Sequence, residues 1–263
     1  MNIKKAVKKW MPWIVLAAAI LQVVGSTLVT TEFFNSGDRF TSTDALFIQP
    51  AGYAFSIWGL IYFFAFIYAV YQVIPKYNNA SLEKTRPLIA SLFVLSVVWL
   101  WTASFSGVWL WLTVVVLFVM AGIAATATRN DETTKGLSQR ERFFSLGLLY
   151  PYAAWVGVAQ FVNLGAVLLS NWTISGTLLL AVNIIILLAL CVYSFTQYRQ
   201  RGYPFWYGFV LVWAAVGVIV ANYGQGSDAI LLASFVVTAA ISFVFLQKSL
   251  IPNIKKKVAA ITH

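Results

Sequence analysis

Residues 143–170 read FFSLGLLYPYAAWVGVAQFVNLGAVLLS, a run of 28 residues without a charged side chain. A helix that crosses the hydrocarbon core of a bilayer needs about 20 mostly apolar residues. The run exceeds this length, and it contains Pro151 about two helical turns from its start. The stretch therefore predicts a membrane-spanning helix that kinks, or frees a backbone carbonyl, at Pro151.

Seven further apolar runs surround this one along the chain. They cover residues 11–31, 51–74, 88–105, 108–127, 173–195, 205–222 and 230–250. Hydrophobic residues make up 60% of the 263 residues and charged residues only 10%, whereas a soluble domain carries about 25% charged residues. The composition excludes soluble globular and disordered chains. The sequence predicts an all-α fold, a polytopic membrane helix bundle with eight transmembrane helices.

The basic residues orient these eight predicted helices. If both termini are cytoplasmic, every Lys and Arg except Arg39 falls in a cytoplasmic tail or loop, which is the usual distribution in membrane proteins. The net charge of +10 is then explained by topology, and no nucleic-acid partner is expected. The first span resembles a signal peptide but is too long for one, so we expect it to stay uncleaved. We expect a bacterial plasma membrane, with an organelle membrane as the alternative.

Chemically reactive side chains are almost missing from the predicted spans. No charged residue lies deep in a span, and the chain has one histidine, His263, and one cysteine, Cys191. Buried titratable groups mark proton relays, while metal, haem and nucleophilic sites need histidine or clustered cysteine. We therefore expect no catalytic residue, no metal site and no covalent cofactor.

The second span is rich in aromatic residues on one face. Phe55, Trp58 and Tyr62 are spaced i, i+3 and i+7, so they share one side of a helix. Pro50 suits the first position of that helix, because its missing N–H needs no partner there. The spacing fits either a stripe packed against other helices or the wall of a ligand site.

The fifth span combines aromatic and amide side chains. Tyr152, Trp155, Ala159 and Asn163 fall on one stripe, with Gln160 beside it. Asparagine and glutamine in hydrocarbon must find hydrogen-bond partners. Interhelical hydrogen bonding and a pocket wall both fit this pattern.

Together these stretches resemble the TspO/peripheral benzodiazepine receptor family, the tryptophan-rich sensory proteins. The family's fifth-helix motif is P-Y-x-x-W-V-x-F-A-x-x-L-N, which matches Pro151, Tyr152, Trp155, Val156, Ala159 and Asn163. The second-helix motif is matched, with one residue deleted, by Pro50, Phe55, Trp58 and Tyr62. Trp101 and Gly107 keep the family's W-x5-G spacing in the third span.

The resemblance implies a domain organisation and a ligand. Residues 1–172 would form a TspO-like five-helix membrane core, and residues 173–263 a three-helix extension with a basic cytoplasmic tail. The family binds porphyrins, haem-like tetrapyrroles and other flat apolar ligands between its helices, and it often forms homodimers. Membrane lipid, a small apolar ligand and a second copy of the chain are therefore the expected partners.

The resemblance and the fifth-span stripe together imply the residues of the site. Trp58 and Trp155 correspond to the two tryptophans that the family uses in its ligand pocket and in porphyrin breakdown. The implied ligand-binding residues are Phe55, Trp58, Tyr62, Trp101, Tyr152, Trp155, Ala159, Gln160 and Asn163. The expected function is a membrane sensor or carrier for such a ligand. The alternatives are a transporter or permease component for a neutral or lipid-like solute, an enzyme that degrades porphyrin under light, and a membrane scaffold.

Overall fold

The computed structural model describes residues 3–35, 46–74, 80–103, 105, 107–129, 137–223 and 228–252. Over these ranges the secondary structure is helical, with no β-strand. The long helices are α1 (Ile3–Asn35), α2 (Ile57–Val73), α3 (Ala80–Thr102), α4 (Trp111–Arg129), α5 (Gln139–Asn171), α6 (Gly176–Gln200), α7 (Phe205–Asn222) and α8 (Asp228–Phe245). Eight helices in the described ranges are long and apolar enough to cross a membrane. The predicted all-α fold with eight spans is confirmed.

Some predicted features lie outside the described residues. They include Arg39, the residue predicted on the outer side, and the basic tail at residues 255–257. The cytoplasmic placement of both termini stays a prediction.

The start of α2 differs from the sequence-based expectation. Pro50 was expected to open this helix, but residues Gly52–Ser56 form a 3-10 turn and α2 begins at Ile57. The backbone at Ala51 is extended, with φ −56° and ψ 151°, because its N–H donates to the Gly217 carbonyl at 2.9 Å instead of entering a helix. α5, in contrast, continues through Pro151 to Asn171.

The chain folds as two compact units. The first comprises Met1–Thr43 and Trp58–Val156, and the second comprises Asp44–Ile57 and Gly157–His263. The boundary falls within α5, so this helix contributes to both units. Residues 46–56, directly before α2, thus fold with α6, α7 and α8. The domain division predicted at residue 172 follows family motifs and stays a prediction.

In the first unit, α3 packs against both α1 and α4. Two glycines allow close approach of neighbouring helices, as small residues commonly do in membrane proteins. A Cβ on Gly25 of α1 would lie 2.8 Å from Cγ1 of Val97 on α3. A Cβ on Gly147 of α5 would lie 2.6 Å from Cε1 of Phe64 on α2. A side chain at either position would have to displace Val97 or Phe64 from its present place.

Polar side chains tie the start of α3 to its neighbours. Lys8 of α1 forms a 2.6 Å ion pair with Glu83. The Nε of Arg86 donates to Oε1 of Gln72 on α2 at 2.6 Å, and Arg86 is only 1% exposed. Polar groups in an apolar environment must be satisfied within the protein, so the buried Arg86–Gln72 bond holds α3 against α2. The Lys8–Glu83 pair is more exposed, with side-chain exposures of 63% and 25%, and contributes less.

In the second unit, α7 packs against α6 and α8, and both α6 and α7 bind residues 46–56, called here the connecting segment. The Phe47 N–H donates to Oδ1 of Asn183 at 3.0 Å, and the Phe47 carbonyl accepts from Nδ2 of Asn222 at 2.7 Å. Further along, Nε1 of Trp213 donates to the Ala54 carbonyl at 2.9 Å. The two asparagine side chains satisfy Phe47 backbone groups that a helix would otherwise satisfy internally, whereas the Ala54 carbonyl also accepts from the Ile57 N–H.

Candidate functional site

Trp58 of α2 lies at the centre of an aromatic cluster in the first unit. Its ring centroid is 5.8 Å from that of Trp99, to which it is nearly parallel, and 5.5 Å from that of Tyr62. The Tyr152 ring meets it edge-on at 5.8 Å. These distances are typical of favourable aromatic pairs. We call Trp58, Tyr62, Trp99 and Tyr152 the Trp58 cluster.

Three helices supply the rings of the Trp58 cluster. Trp58 and Tyr62 are four residues apart on α2, so they lie one turn apart on the same face. Trp99 comes from α3 and Tyr152 from α5. Trp99 and Tyr152 are buried, whereas Trp58 and Tyr62 are half-buried. The cluster is therefore more accessible at the α2 side.

α1 adds a polar side to the cluster. The Tyr62 hydroxyl donates to Oγ of Ser26 at 2.9 Å. The Tyr152 hydroxyl lies 3.1 Å from Oε1 of Gln22 and 2.9 Å from the Leu92 carbonyl. Gln22 and Ser26 are one turn apart on α1, and their exposed fractions are 0% and 5%. They place neutral hydrogen-bonding groups beside the aromatic rings.

The sequence patterns did not predict Gln22, Ser26 or Trp99 as site residues. A signal for Gln22 was present, because it is an amide within an apolar run. The same feature drew attention to Gln160 and Asn163 in the fifth span.

The other two predicted site residues of the first unit, Trp155 and Trp101, are not among the four rings of the Trp58 cluster. Trp155 is 2% exposed and lies three residues after Tyr152 on α5. Trp101 is 59% exposed, and its ring is 5.1 Å from that of Phe105. The structure thus brings Trp58, Tyr62 and Tyr152 together and leaves Trp101 on an exposed face of α3.

The remaining predicted site residues belong to the second unit. Phe55 lies in the 3-10 turn Gly52–Ser56. Gln160 donates through Nε2 to the Gly157 carbonyl at 3.3 Å, and Asn163 donates through Nδ2 to the Ala159 carbonyl at 2.9 Å. Both amides therefore bind the backbone of their own helix, which partly meets their need for partners in an apolar environment.

The chemistry that the Trp58 cluster offers is stacking and neutral hydrogen bonding. Every side chain named in it is uncharged at neutral pH. Among the described residues, no group of three or more His, Cys, Asp or Glu side chains could hold a metal ion. The arrangement suits a flat apolar molecule, whose faces can stack on the indole and phenol rings.

Comparison with known proteins places the chain in a family. A family model described as TSPO-like protein matches residues 12–247, so the match extends beyond residue 172 through α6, α7 and α8. No curated protein and no solved structure matches the chain significantly. The apolar helices and the family match identify an integral membrane protein. The predicted resemblance is confirmed: the chain belongs to the TSPO-like protein family.

Proposed function

We propose that this protein is a membrane sensor or carrier that binds a flat, largely apolar ligand of the porphyrin or tetrapyrrole class at the Trp58 cluster. The observation that carries the proposal is the Trp58 ring, which has three aromatic rings within 5.5–5.8 Å. Membership of the TSPO-like family supports the same ligand class. The stacking area of such a cluster matches a planar macrocycle better than a flexible chain.

The exposure of the rings suggests how a ligand would meet the cluster. Trp99 and Tyr152 are buried, while Trp58 and Tyr62 are half-buried on α2. A ligand would first contact Trp58 and Tyr62. Trp58 would then be the residue whose loss weakens binding most, because its ring also contacts the two buried rings.

We expect Trp58→Phe to weaken protoporphyrin IX binding about two- to tenfold, because an aromatic pair contributes about 0.5–1.5 kcal/mol beyond its buried area. The measurement is a titration of detergent-purified protein followed by the porphyrin's own Soret absorbance. This signal does not depend on the number of tryptophans in the variant. Wild-type protein should give a saturable change.

Trp13→Phe is the matched control for this titration. It makes the same substitution on α1 at a side chain that is 54% exposed and outside the Trp58 cluster, so the dissociation constant should not change. A linear, unsaturable signal that is equal in all three proteins would indicate partitioning into micelles. That result would remove porphyrin from the proposal and leave transport of a neutral or lipid-like solute as the function to test.

A further inference from the structure

We infer that Trp99 and Gln22 bind a polar group of the ligand, and that this ligand therefore carries an uncharged hydrogen-bond acceptor such as a carbonyl oxygen. The inference rests on the proposed function and goes beyond it. Stacking alone would accept a ligand made only of rings and alkyl groups. The polar atoms of the first unit indicate a narrower class.

Two buried N–H groups at the Trp58 cluster have no hydrogen-bond partner among the described residues. They are Nε1 of Trp99, a residue 3% exposed, and Nε2 of Gln22, a residue 0% exposed. A buried donor without a partner has lost its hydration with nothing to replace it, which is unfavourable. The Trp99 ring stacks on Trp58, and Gln22 lies beside Tyr152, whose ring also contacts Trp58. Trp99 therefore contacts the Trp58 ring directly, and Gln22 is linked to it through Tyr152.

The Trp99 N–H requires an acceptor whichever way the Gln22 amide is oriented. With the amide reversed, Nε2 would donate to the Tyr152 hydroxyl, which would then donate to the Leu92 carbonyl. In that arrangement the Gln22 oxygen is the atom without a partner, because one hydroxyl proton serves one acceptor. In both orientations the Trp99 N–H needs an acceptor.

The acceptor is expected to be uncharged. The side chains around Trp58 are indole, phenol, hydroxyl and amide groups. A carboxylate moved into such surroundings loses its hydration, and neutral donors repay only part of that loss. An ester, ketone or amide oxygen has a much smaller desolvation penalty.

Two closely related porphyrins test the inference. Mesoporphyrin IX dimethyl ester and etioporphyrin III share the macrocycle with its methyl and ethyl groups. They differ in two side chains, which end in an ester in the first compound and are ethyl groups in the second. We expect wild-type protein to bind the diester about two- to tenfold more tightly, as one net hydrogen bond predicts. In Trp99→Phe this preference should fall to about onefold, because the N–H donor is lost.

The etioporphyrin titration controls for the lost stacking area of Trp99→Phe, since the ratio of the two dissociation constants is the readout. Gln22→Leu gives a second variant of similar size, with elution volume and thermal unfolding as folding checks. We expect it to reduce the ratio as well.

Equal binding of the two porphyrins by wild-type protein would overturn the inference and leave the proposed function intact. An unchanged preference in both variants would also overturn it, and unsaturable binding of both porphyrins would overturn the proposed function itself.

Discussion

The double substitution Asn183→Leu and Asn222→Leu will release the connecting segment from α6 and α7 and lower the thermal stability of the protein. The two amides bind the N–H and the carbonyl of Phe47 at 3.0 and 2.7 Å. Leucine has the same number of side-chain heavy atoms and the same branching at Cγ but no polar atom, so both backbone groups would lose these partners. Each lost bond leaves a part-buried backbone group without this partner, which costs about 1 kcal/mol. We expect this double variant to be the least stable of those discussed.

Hydrogen–deuterium exchange on peptides covering residues 46–56 is the local measurement, and thermal unfolding in detergent is the global one. In the double variant these peptides should exchange faster than the same peptides of wild-type protein. Asn171→Leu is the matched control, because the Asn171 amide bonds to Val167 and Ser170 near the end of its own helix, α5. If residues 46–56 of the double variant exchange at the same rate as in wild-type protein, the two amides do not hold the connecting segment in place.

Gly217→Val will disrupt the same region by steric overlap. A Cβ at Gly217 would lie 2.9 Å from the Cβ of Pro50 and 2.9 Å from the Cβ of Ala54. These atoms are attached directly to the backbone, so they cannot move by a change of rotamer. Overpacking at a close contact costs about 1–3 kcal/mol. The connecting segment would have to move away from α7, which would also strain the hydrogen bond from Ala51 to the Gly217 carbonyl.

Gly122→Val on α4 is the control for this substitution. A Cβ at Gly122 meets nothing within 4 Å, so valine should leave stability unchanged or raise it slightly through its better helix propensity. Unfolding midpoints measured in the same detergent compare the two variants. Equal midpoints would mean that the contact between α7 and the connecting segment does not limit stability.

The spans and the Trp58 cluster were predictable from sequence to different degrees. Each apolar run became a helix because a helix satisfies its backbone hydrogen bonds locally. The motif residues Trp58, Tyr62 and Tyr152 were predicted to share a site, and the structure brings them together. The choice between Trp99 and Trp101 was not predictable. These residues lie about 200° apart around a helix, and the sequence does not say which face of α3 meets its neighbours.

The sequence by itself determined the helical class, the number of spans and the family, because run length, charge placement and motif spacing are properties of short segments. Only the tertiary structure showed that Gln22 of α1 joins the Trp58 cluster, since its partner Tyr152 is 130 residues away along the chain. The same holds for the connecting segment, where Phe47 and Asn222 are separated by 175 residues. A short polar side chain in an apolar run signals that it needs a partner. Which distant backbone or ring provides that partner depends on how the helices pack.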